Sequence, residues 1–457
     1  HYFKCTFELL RIVLLSFIMV CGFNYIEIAE SKSTSSKKNI AKANRPSQEE
    51  YYSVAKKELT IEERNQAKIL VIQTINSINE VLKGGKVKGM RQFELYLRLG
   101  ELYSELHDYI RDEETEEYNK KYNYWVSKGA KGNPPVISYS KSNVQLANAA
   151  NAFRTLVNKY PKHPRSAAAL YALGKTLSRL DDPNAVIYFE KLIKNHSNSN
   201  LVPDAYLSLG EYYFEKHNID KAIEAYSKAM KYNNHRAYPY IIYKLGWSYY
   251  NATPKNDQEA KQFLDKSIVC FKLVIRLSDR DKGKIGRLNL REEAVKDLIM
   301  VWAETEDIQA AWVYFEKIGE KKSFYTLLER LGYIYEEQGK NQQAIQLYTR
   351  LIKENPTRPN NPRTFERIIN LEDWINNPSS VVVALEQMCN LFFNDSSIWV
   401  KANKNDSGLM SDTNKLVEYN LHRYGTLLHQ KAQKSKNKEM LAAAAKIYKL
   451  YLKNFPQ

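Results

Sequence analysis

Residues 204–233 read DAYLSLGEYYFEKHNIDKAIEAYSKAMKYN and contain two helical patterns separated by a short polar turn. Apolar and small residues recur three, four and seven positions apart in each half, which places them on one face of a helix. The dipeptide Leu-Gly of the first half, at 209–210, also occurs 36 residues away on either side, at 173–174 and 245–246. A single helix pair cannot bury its apolar face alone, so this repetition predicts stacked helix pairs.

The residue types at the repeated positions resemble the signature of the tetratricopeptide repeat. In the quoted unit the signature positions are Tyr206, Leu209, Gly210 and Tyr213 in the first helix, and Ala222, Tyr226 and Ala229 in the second. A later unit carries Leu328, Leu331, Gly332, Tyr335, Ala344, Tyr348, Leu351 and the closing Pro356. The small residues allow two helices to approach closely, and the large ones fill the space beside them.

The resemblance implies an all-α fold, a right-handed superhelical solenoid of about seven to eight helix-turn-helix units with insertions. The best-matching repeats cover 168–200, 204–236, 240–278 and 326–358, and degenerate ones cover 90–162, 293–320, 365–395 and 418–457. Extra residues, as in the unit after Gly246, are expected to lie in the turns. The stretch 360–414 is less regular and is interpreted as one distorted unit.

Upstream of the repeats, Thr60 and Glu63 form a capping-box pattern that opens a helix, and residues 60–89 are predicted to cap the solenoid. The first repeat contains a long excursion over residues 104–149, in which GAKGNPPVISYS at 129–140 is typical of a loop. The repeats together cover most of residues 90–457.

The first thirty residues resemble an export signal. Residues 12–23 read IVLLSFIMVCGF and follow the basic residues Lys4 and Arg11. An apolar run of this length is too short to cross a bilayer but matches a signal-peptide core. We therefore expect residues 1–30 to be a signal peptide or a retained N-terminal anchor, with a buried first helix as the alternative. Residues 31–59, rich in serine and lysine, are predicted to form a disordered basic linker.

The resemblance also implies where a partner would bind. In this family the first helices of successive units line the concave face, and the positions that carry no packing signature are available for a ligand. Aromatic residues and arginine are enriched among the residues that dominate binding energy at interfaces. The candidate protein-binding residues are Tyr171, Lys175, Arg179, Leu207, Glu211, Phe214, Tyr240, Tyr243, Trp247 and Tyr250.

The sequence contains no motif of a known catalytic or cofactor site: no P-loop, GxSxG, HExxH or GxGxxG pattern occurs, and the four cysteines are scattered. We expect a protein that is not an enzyme and needs no cofactor or metal. A hydrolase within the excursion has no motif to support it.

The expected partners are proteins, because the repeats resemble those of bacterial envelope proteins, the outer-membrane assembly lipoproteins and the gliding-motility proteins. Export predicts a periplasmic or envelope location, with membrane contact only through an uncleaved N-terminal segment. The alternative is a nucleic-acid-binding helical repeat protein, motivated by the net charge of +16. It is less favoured, because 52 acidic residues are interspersed with the basic ones.

Overall fold

The protein is described by a computed structural model over residues 60–280, 290–305, 307–319, 323–375 and 377–456. The predicted export segment and linker lie outside these residues. Within them every regular element is a helix, and there are 18. The helices are α1 (Ile61–Lys83), α2 (Gly89–Ser127), α3 (Ser140–Lys159), α4 (Ser166–Arg179), α5 (Ala185–Asn195), α6 (Val202–Glu215), α7 (Ile219–Ala229), α8 (Tyr238–Asn251), α9 (Asp257–Arg280), α10 (Arg291–Thr305), α11 (Ile308–Ile318), α12 (Ser323–Glu337), α13 (Asn341–Glu354), α14 (Asn361–Trp374), α15 (Pro378–Phe392), α16 (Ile398–Asn403), α17 (Ser407–Ser435) and α18 (Lys438–Asn454).

Consecutive helices pack in pairs, and each pair packs on the next. α2 contacts α3, α4 contacts α5, α6 contacts α7 and α8 contacts α9, and the same pairing recurs at α12 with α13, α14 with α15 and α17 with α18. In the pair α10 and α11, the Trp302 ring lies 5.1 Å from the Phe315 ring. This arrangement confirms the predicted all-α solenoid of helix pairs.

α1 covers the N-terminal end of the paired helices. Thr60 caps it as predicted: its hydroxyl accepts a hydrogen bond from the Glu63 N–H (3.2 Å), and the Glu63 carboxylate accepts one from the Thr60 N–H (2.8 Å). The buried face of α1, formed by Val71, Ile75 and Ile78, packs against apolar residues of α2. α1 therefore covers the apolar face of the first pair, although its outer side still exposes apolar residues such as Ile69 and Leu70.

The signature glycines stand where an aromatic ring of the paired helix touches the backbone. A β-carbon placed on Gly210 would lie 2.5 Å from Cε1 of Tyr226, whose side chain is fully buried. Gly100 faces Phe153, Gly174 faces Phe189 and Gly332 faces Tyr348 in the same way. Only a residue without a side chain allows this close approach, so the glycine and the ring specify the crossing of each pair together.

We expect Gly210→Ala to lower the free energy of unfolding by up to about 2 kcal/mol. Overpacking a core costs about 1–3 kcal/mol, and the fully buried Tyr226 ring places this site at the upper end, whereas alanine's better helix propensity contributes a gain of about 1 kcal/mol. Urea unfolding followed by circular dichroism measures the difference. Gly408→Ala is the matched control, because a β-carbon there would meet its nearest atom at an ordinary 3.5 Å, so this variant should not lose stability. Equal stabilities of the two variants would contradict the packing argument.

The excursion over 104–149, whose structure the sequence left open, is mostly helical: α2 runs to Ser127, and its residues from Ser104 onward include no proline or glycine. The loop predicted at 129–140 lies between α2 and α3. The expectation that extra residues lie in turns was wrong for one unit. The insertion after Gly246 lies only partly in a turn, because α9 already begins at Asp257. The Glu259 N–H donates to Asn256 Oδ1 (2.9 Å), which stabilises this early start.

The stretch 360–414 is also more regular than expected. It contains the helix pair α14 and α15, the short helix α16 and the start of α17. Trp399 of α16 is buried against Phe392 of α15, at a ring distance of 5.5 Å, and its Nε1–H donates to the Arg358 carbonyl (2.8 Å). The distorted unit is therefore an ordinary pair followed by a short helix that covers its end.

Cys270 and Cys389 are both buried, and burial raises the pKa of the Cys270 thiol to about 12 and that of Cys389 to about 11. Because the thiolate is the reactive form, we expect neither to react with a disulfide reagent at pH 8 while the protein is folded. Both should react at once in denaturant. Labelling followed by peptide mass spectrometry distinguishes these two residues from Cys5 and Cys21, and rapid labelling of Cys270 in the folded protein would contradict the prediction.

Candidate functional site

The first helices of neighbouring pairs are joined by polar side chains. We call the first-helix row the side chains on α4, α6, α8, α10, α12 and α14 that lie at these junctions. Glu211 of α6 accepts a hydrogen bond from the Tyr240 hydroxyl of α8. Arg367 of α14 donates to both carboxylate oxygens of Glu336 on α12, at 3.2 and 3.1 Å. Such bonds join α6 to α8 and also α12 to α14, so the row is found both early and late in the array.

At the junction of α8 and α10, one carboxylate holds two aromatic side chains. Asp297 Oδ2 accepts hydrogen bonds from the Tyr243 hydroxyl (2.7 Å) and from Nε1–H of Trp247 (2.9 Å). Both rings also meet the Phe271 ring edge-to-face, at 5.7 Å each. The polar ends of two buried aromatic side chains are thus satisfied by a residue of the next helix pair.

A second carboxylate of α10 joins three helices. Glu304 accepts a hydrogen bond from the Tyr250 hydroxyl (3.4 Å) and one from the Gln338 amide (3.3 Å). The Lys340 ammonium lies 3.8 Å from the same carboxylate and donates to the carbonyl of Ala303 (2.6 Å). Glu304 thereby connects α8 and α10 to the turn that follows α12.

Six of the ten predicted binding residues are half-buried, and four are buried. The half-buried ones are Tyr171, Lys175, Arg179, Glu211, Phe214 and Tyr250. The buried ones are Leu207, Tyr240, Tyr243 and Trp247. A ligand would therefore meet the first group before the second in this conformation, and the binding role of all ten stays a prediction.

Several of these side chains contact charged neighbours. Arg179 forms an ion pair with Asp108 of α2, and the Lys244 ammonium lies 4.6 Å from the centroid of the Phe214 ring. Burial, together with the neighbouring Glu211 carboxylate, raises the pKa of Tyr240 well above its usual value. The row therefore combines aromatic rings with charges of both signs.

The sequence analysis missed Asp297 and Glu304, although both lie in the row. They carry no packing signature, and they lie in a degenerate unit beyond the three central units whose first helices were predicted to bind. A usable signal was present: they are seven residues apart and so lie on one face of α10, the face turned toward α8.

A third acidic residue, Glu329 of α12, lies at the junction with α14. Its carboxylate accepts hydrogen bonds from Arg358 (2.6 Å), Asn360 (3.0 Å) and Thr364 (3.0 Å). Burial alone would raise the pKa of Glu329, but these bonds and the Arg358 charge outweigh it, so its pKa is lowered. Glu329 fixes the connection between the unit that closes at Pro356 and the next one.

Among the residues that the structure describes, no group of three or more histidine, cysteine, aspartate or glutamate side chains is arranged to hold a metal ion. None of the helices described above combines the length and apolar character needed to span a bilayer.

The stacked pairs and the row between their first helices define a helical-repeat solenoid. Tetratricopeptide-repeat family models match residues 168–199, 203–236 and 327–358, each of which contains one helix pair. The chain therefore contains tetratricopeptide repeats in these three segments. These matches agree with three of the repeats predicted from the sequence.

Solved structures of other repeat proteins are similar to parts of the chain at low identity. A tetratricopeptide repeat protein from Parabacteroides merdae is 15% identical, covering 67% of this chain and 99% of its own, with a TM-score of 0.30. YrrB, described as having an unusual peptide-binding site, is 13% identical over 58% and 99%, with a TM-score of 0.26. MamA is 18% identical over 47% and 92%, also with a TM-score of 0.26. No curated protein matches the chain.

Proposed function

We propose that this protein is a non-enzymatic scaffold of the bacterial cell envelope that binds a partner protein along its first-helix row. Tetratricopeptide repeats support a protein–protein interaction scaffold as the general function. The envelope location rests on the expected export signal of residues 1–30. A role in motility or in outer-membrane assembly is the more specific form of the proposal.

The observation that carries the proposal is that the row is held in place before any ligand arrives. Asp297 fixes Tyr243 and Trp247, Glu211 accepts from Tyr240, and Glu304 accepts from Tyr250. Glu211 and Tyr250 are half-buried and therefore within reach of a ligand, and side chains already fixed lose little conformational freedom on binding, so more of the contact energy appears as affinity. A row with both acidic and basic groups is suited to a polypeptide that carries both charges.

Affinity capture after crosslinking tests the proposal. The tagged full chain is expressed in its source cells, and partners are recovered separately from envelope and cytoplasmic fractions. The site variant is Lys175→Ala/Phe214→Ala, which removes half-buried side chains of the first helices. The matched control, Ile187→Ala/Lys194→Ala, removes an apolar and a basic side chain that are exposed on the second helix α5. Circular dichroism checks that both variants are folded.

We expect the wild type and the control to recover the same envelope proteins, and the site variant to lose them. Equal recovery by the site variant would contradict binding along the row. Recovery of partners only from the cytoplasmic fraction would contradict the envelope location. Recovery of nucleic acid that is lost at moderate salt would instead favour the nucleic-acid-binding alternative.

A further inference from the structure

The first helix pair carries an extension that the other pairs lack. α2 has 39 residues, whereas its partner α3 has 20, and Glu114 is the last buried residue of α2. The Glu114 carboxylate accepts hydrogen bonds from the Lys141 N–H (2.9 Å) and the Ser142 hydroxyl (2.5 Å), at the start of α3. The chain between these anchored points leaves the packed array and returns. We call residues 118–136 of this segment the hairpin tip.

The hairpin tip exposes apolar and aromatic side chains. Tyr124 is 66% exposed, Val126 49% and Val136 89%. Tyr122 is exposed too and stacks obliquely on Trp125, at a ring distance of 5.6 Å. These side chains contribute little to the packed helices. Because they lie close together on the surface, they form an exposed apolar patch of the kind that binds a partner.

The charge of the hairpin tip has one sign. It contains Lys120, Lys121, Lys128 and Lys131, all exposed, and no aspartate or glutamate occurs between Glu117 and Asp181. Lys121 forms an ion pair with Glu117 (2.7 Å), which lies just before the tip, whereas the other three lysines extend the positive charge toward the loop. The Lys128 ammonium lies 5.5 Å from the centroid of the Tyr124 ring, so apolar and cationic groups are interleaved. A complementary surface must therefore be anionic and must also accept apolar side chains.

The exposed side chains of the tip surround the end of α2. At 100° per residue, Tyr118, Tyr122 and Trp125 fall on one side of the helix, but Tyr124 and Val126 flank that side and lie about 160° apart. The Trp125 Nε1–H donates to the Lys131 carbonyl (3.0 Å), which holds the returning loop against the helix. The aromatic side and the loop with Val136 thus belong to one folded end.

We propose that the hairpin tip binds the surface of an anionic lipid bilayer. Tyrosine and tryptophan favour the depth of the headgroups, where their rings meet acyl chains and their polar ends meet water. Lysines around them attract anionic headgroups. Val126 and Val136 would enter the acyl boundary, because the end of α2, and not one of its faces, would be directed at the bilayer.

The composition of the tip favours a lipid surface over nucleic acid. Valine and proline side chains give no stacking platform for bases, and the Trp125 ring is already engaged by Tyr122. All four cations are lysines, whereas phosphate recognition in fixed geometry favours the arginine fork. An acidic peptide would match the charge but would leave Val136 without an apolar environment.

Vesicle protection from trypsin tests the proposal on the full chain. Residues 12–23 could bind lipid as well, so the readout must be local to the tip. Lys128 and Lys131 are exposed and provide cleavage sites within it, and Lys436, in the turn before α18, serves as an internal reference. Cleavage is followed by mass spectrometry with vesicles of equal parts phosphatidylcholine and phosphatidylglycerol, and with phosphatidylcholine alone.

We expect the anionic vesicles to slow cleavage at Lys128 and Lys131 but not at Lys436. In Lys120→Gln/Lys121→Gln the lipid concentration for half-maximal protection should rise about thirtyfold, from the loss of two cations at the surface. Tyr124→Ser/Val126→Ser should lose the protection. The controls Lys194→Gln/Lys231→Gln and Trp374→Ser/Tyr419→Ser change exposed residues elsewhere and should behave as wild type.

Unprotected cleavage at Lys128 and Lys131, while the chain floats with the vesicles, would overturn the proposal, because binding would then come from another segment. Equal protection by neutral vesicles would overturn the role of the lysines. Protection by a single-stranded oligonucleotide or by polyglutamate, with none by vesicles, would show that the tip binds a different class of partner.

Discussion

Asp297→Ala is expected to lower the free energy of unfolding by about 3 kcal/mol. The substitution leaves the Tyr243 hydroxyl and the Trp247 indole N–H, both on buried side chains, without the carboxylate that accepts from them. A hydrogen bond to a charged group contributes about 1.5–3 kcal/mol, and an unsatisfied buried donor carries a desolvation cost. Urea unfolding followed by tryptophan fluorescence and by circular dichroism measures the loss.

Two further variants make this result specific. Asp297→Asn keeps an oxygen acceptor without the charge, so it should lose less stability than the alanine variant. Asp265→Ala changes an exposed aspartate of α9 and should remain within about 0.5 kcal/mol of the wild type. If Asp297→Ala were as stable as Asp265→Ala, the carboxylate would not be the residue that orders this part of the first-helix row.

Glu329→Ala is expected to cost a similar amount, about 3 kcal/mol. It removes three hydrogen bonds and leaves the guanidinium of Arg358, which is only 15% exposed, without its carboxylate. Removing one partner of a buried ion pair costs about 3–5 kcal/mol, and the remaining exposure of Glu329 reduces that figure. The same denaturation experiment measures the effect, with the exposed Glu386→Ala as control.

The Glu329 interaction should also depend on pH in a defined direction. Because its pKa is lowered in the folded protein, its stabilising contribution is complete above the ordinary glutamate pKa of 4.5 and is lost as the pH falls through the folded value. The stability difference between wild type and Glu329→Gln should therefore shrink below pH 4.5. A difference that stays constant or grows on acidification would contradict this assignment.

The helix pairs could be predicted from the sequence because their packing depends on residue volume at fixed spacing. Gly210 and Tyr226, or Gly332 and Tyr348, form a close contact within about twenty residues of chain, so both partners belong to one repeat pattern. The capping box at Thr60 was predictable for the same reason, since it involves residues three positions apart.

Two kinds of feature could not be predicted from the sequence. Asp297 and Glu304 contact side chains of other units, and the second half of α2 is a helix with few buried residues. Tyr243 and Trp247 lie at positions expected to face a ligand, yet the acceptor for their polar ends comes from Asp297, more than forty residues later. The second half of α2 has no buried stripe, so no apolar periodicity marks it as helix. Charges and tyrosines along that stretch fit an exposed helix and a loop equally well.

The length of α2 has a consequence for the geometry of anything that its end contacts. From Thr115 to Ser127 the helix rises about 18 Å, at about 1.5 Å per residue. Because this segment is a helix anchored at Glu114, its reach is fixed by backbone hydrogen bonds and not by the statistics of a flexible chain. α2 is therefore a rigid spacer, which would fix the distance between the repeats and a partner bound at the hairpin tip.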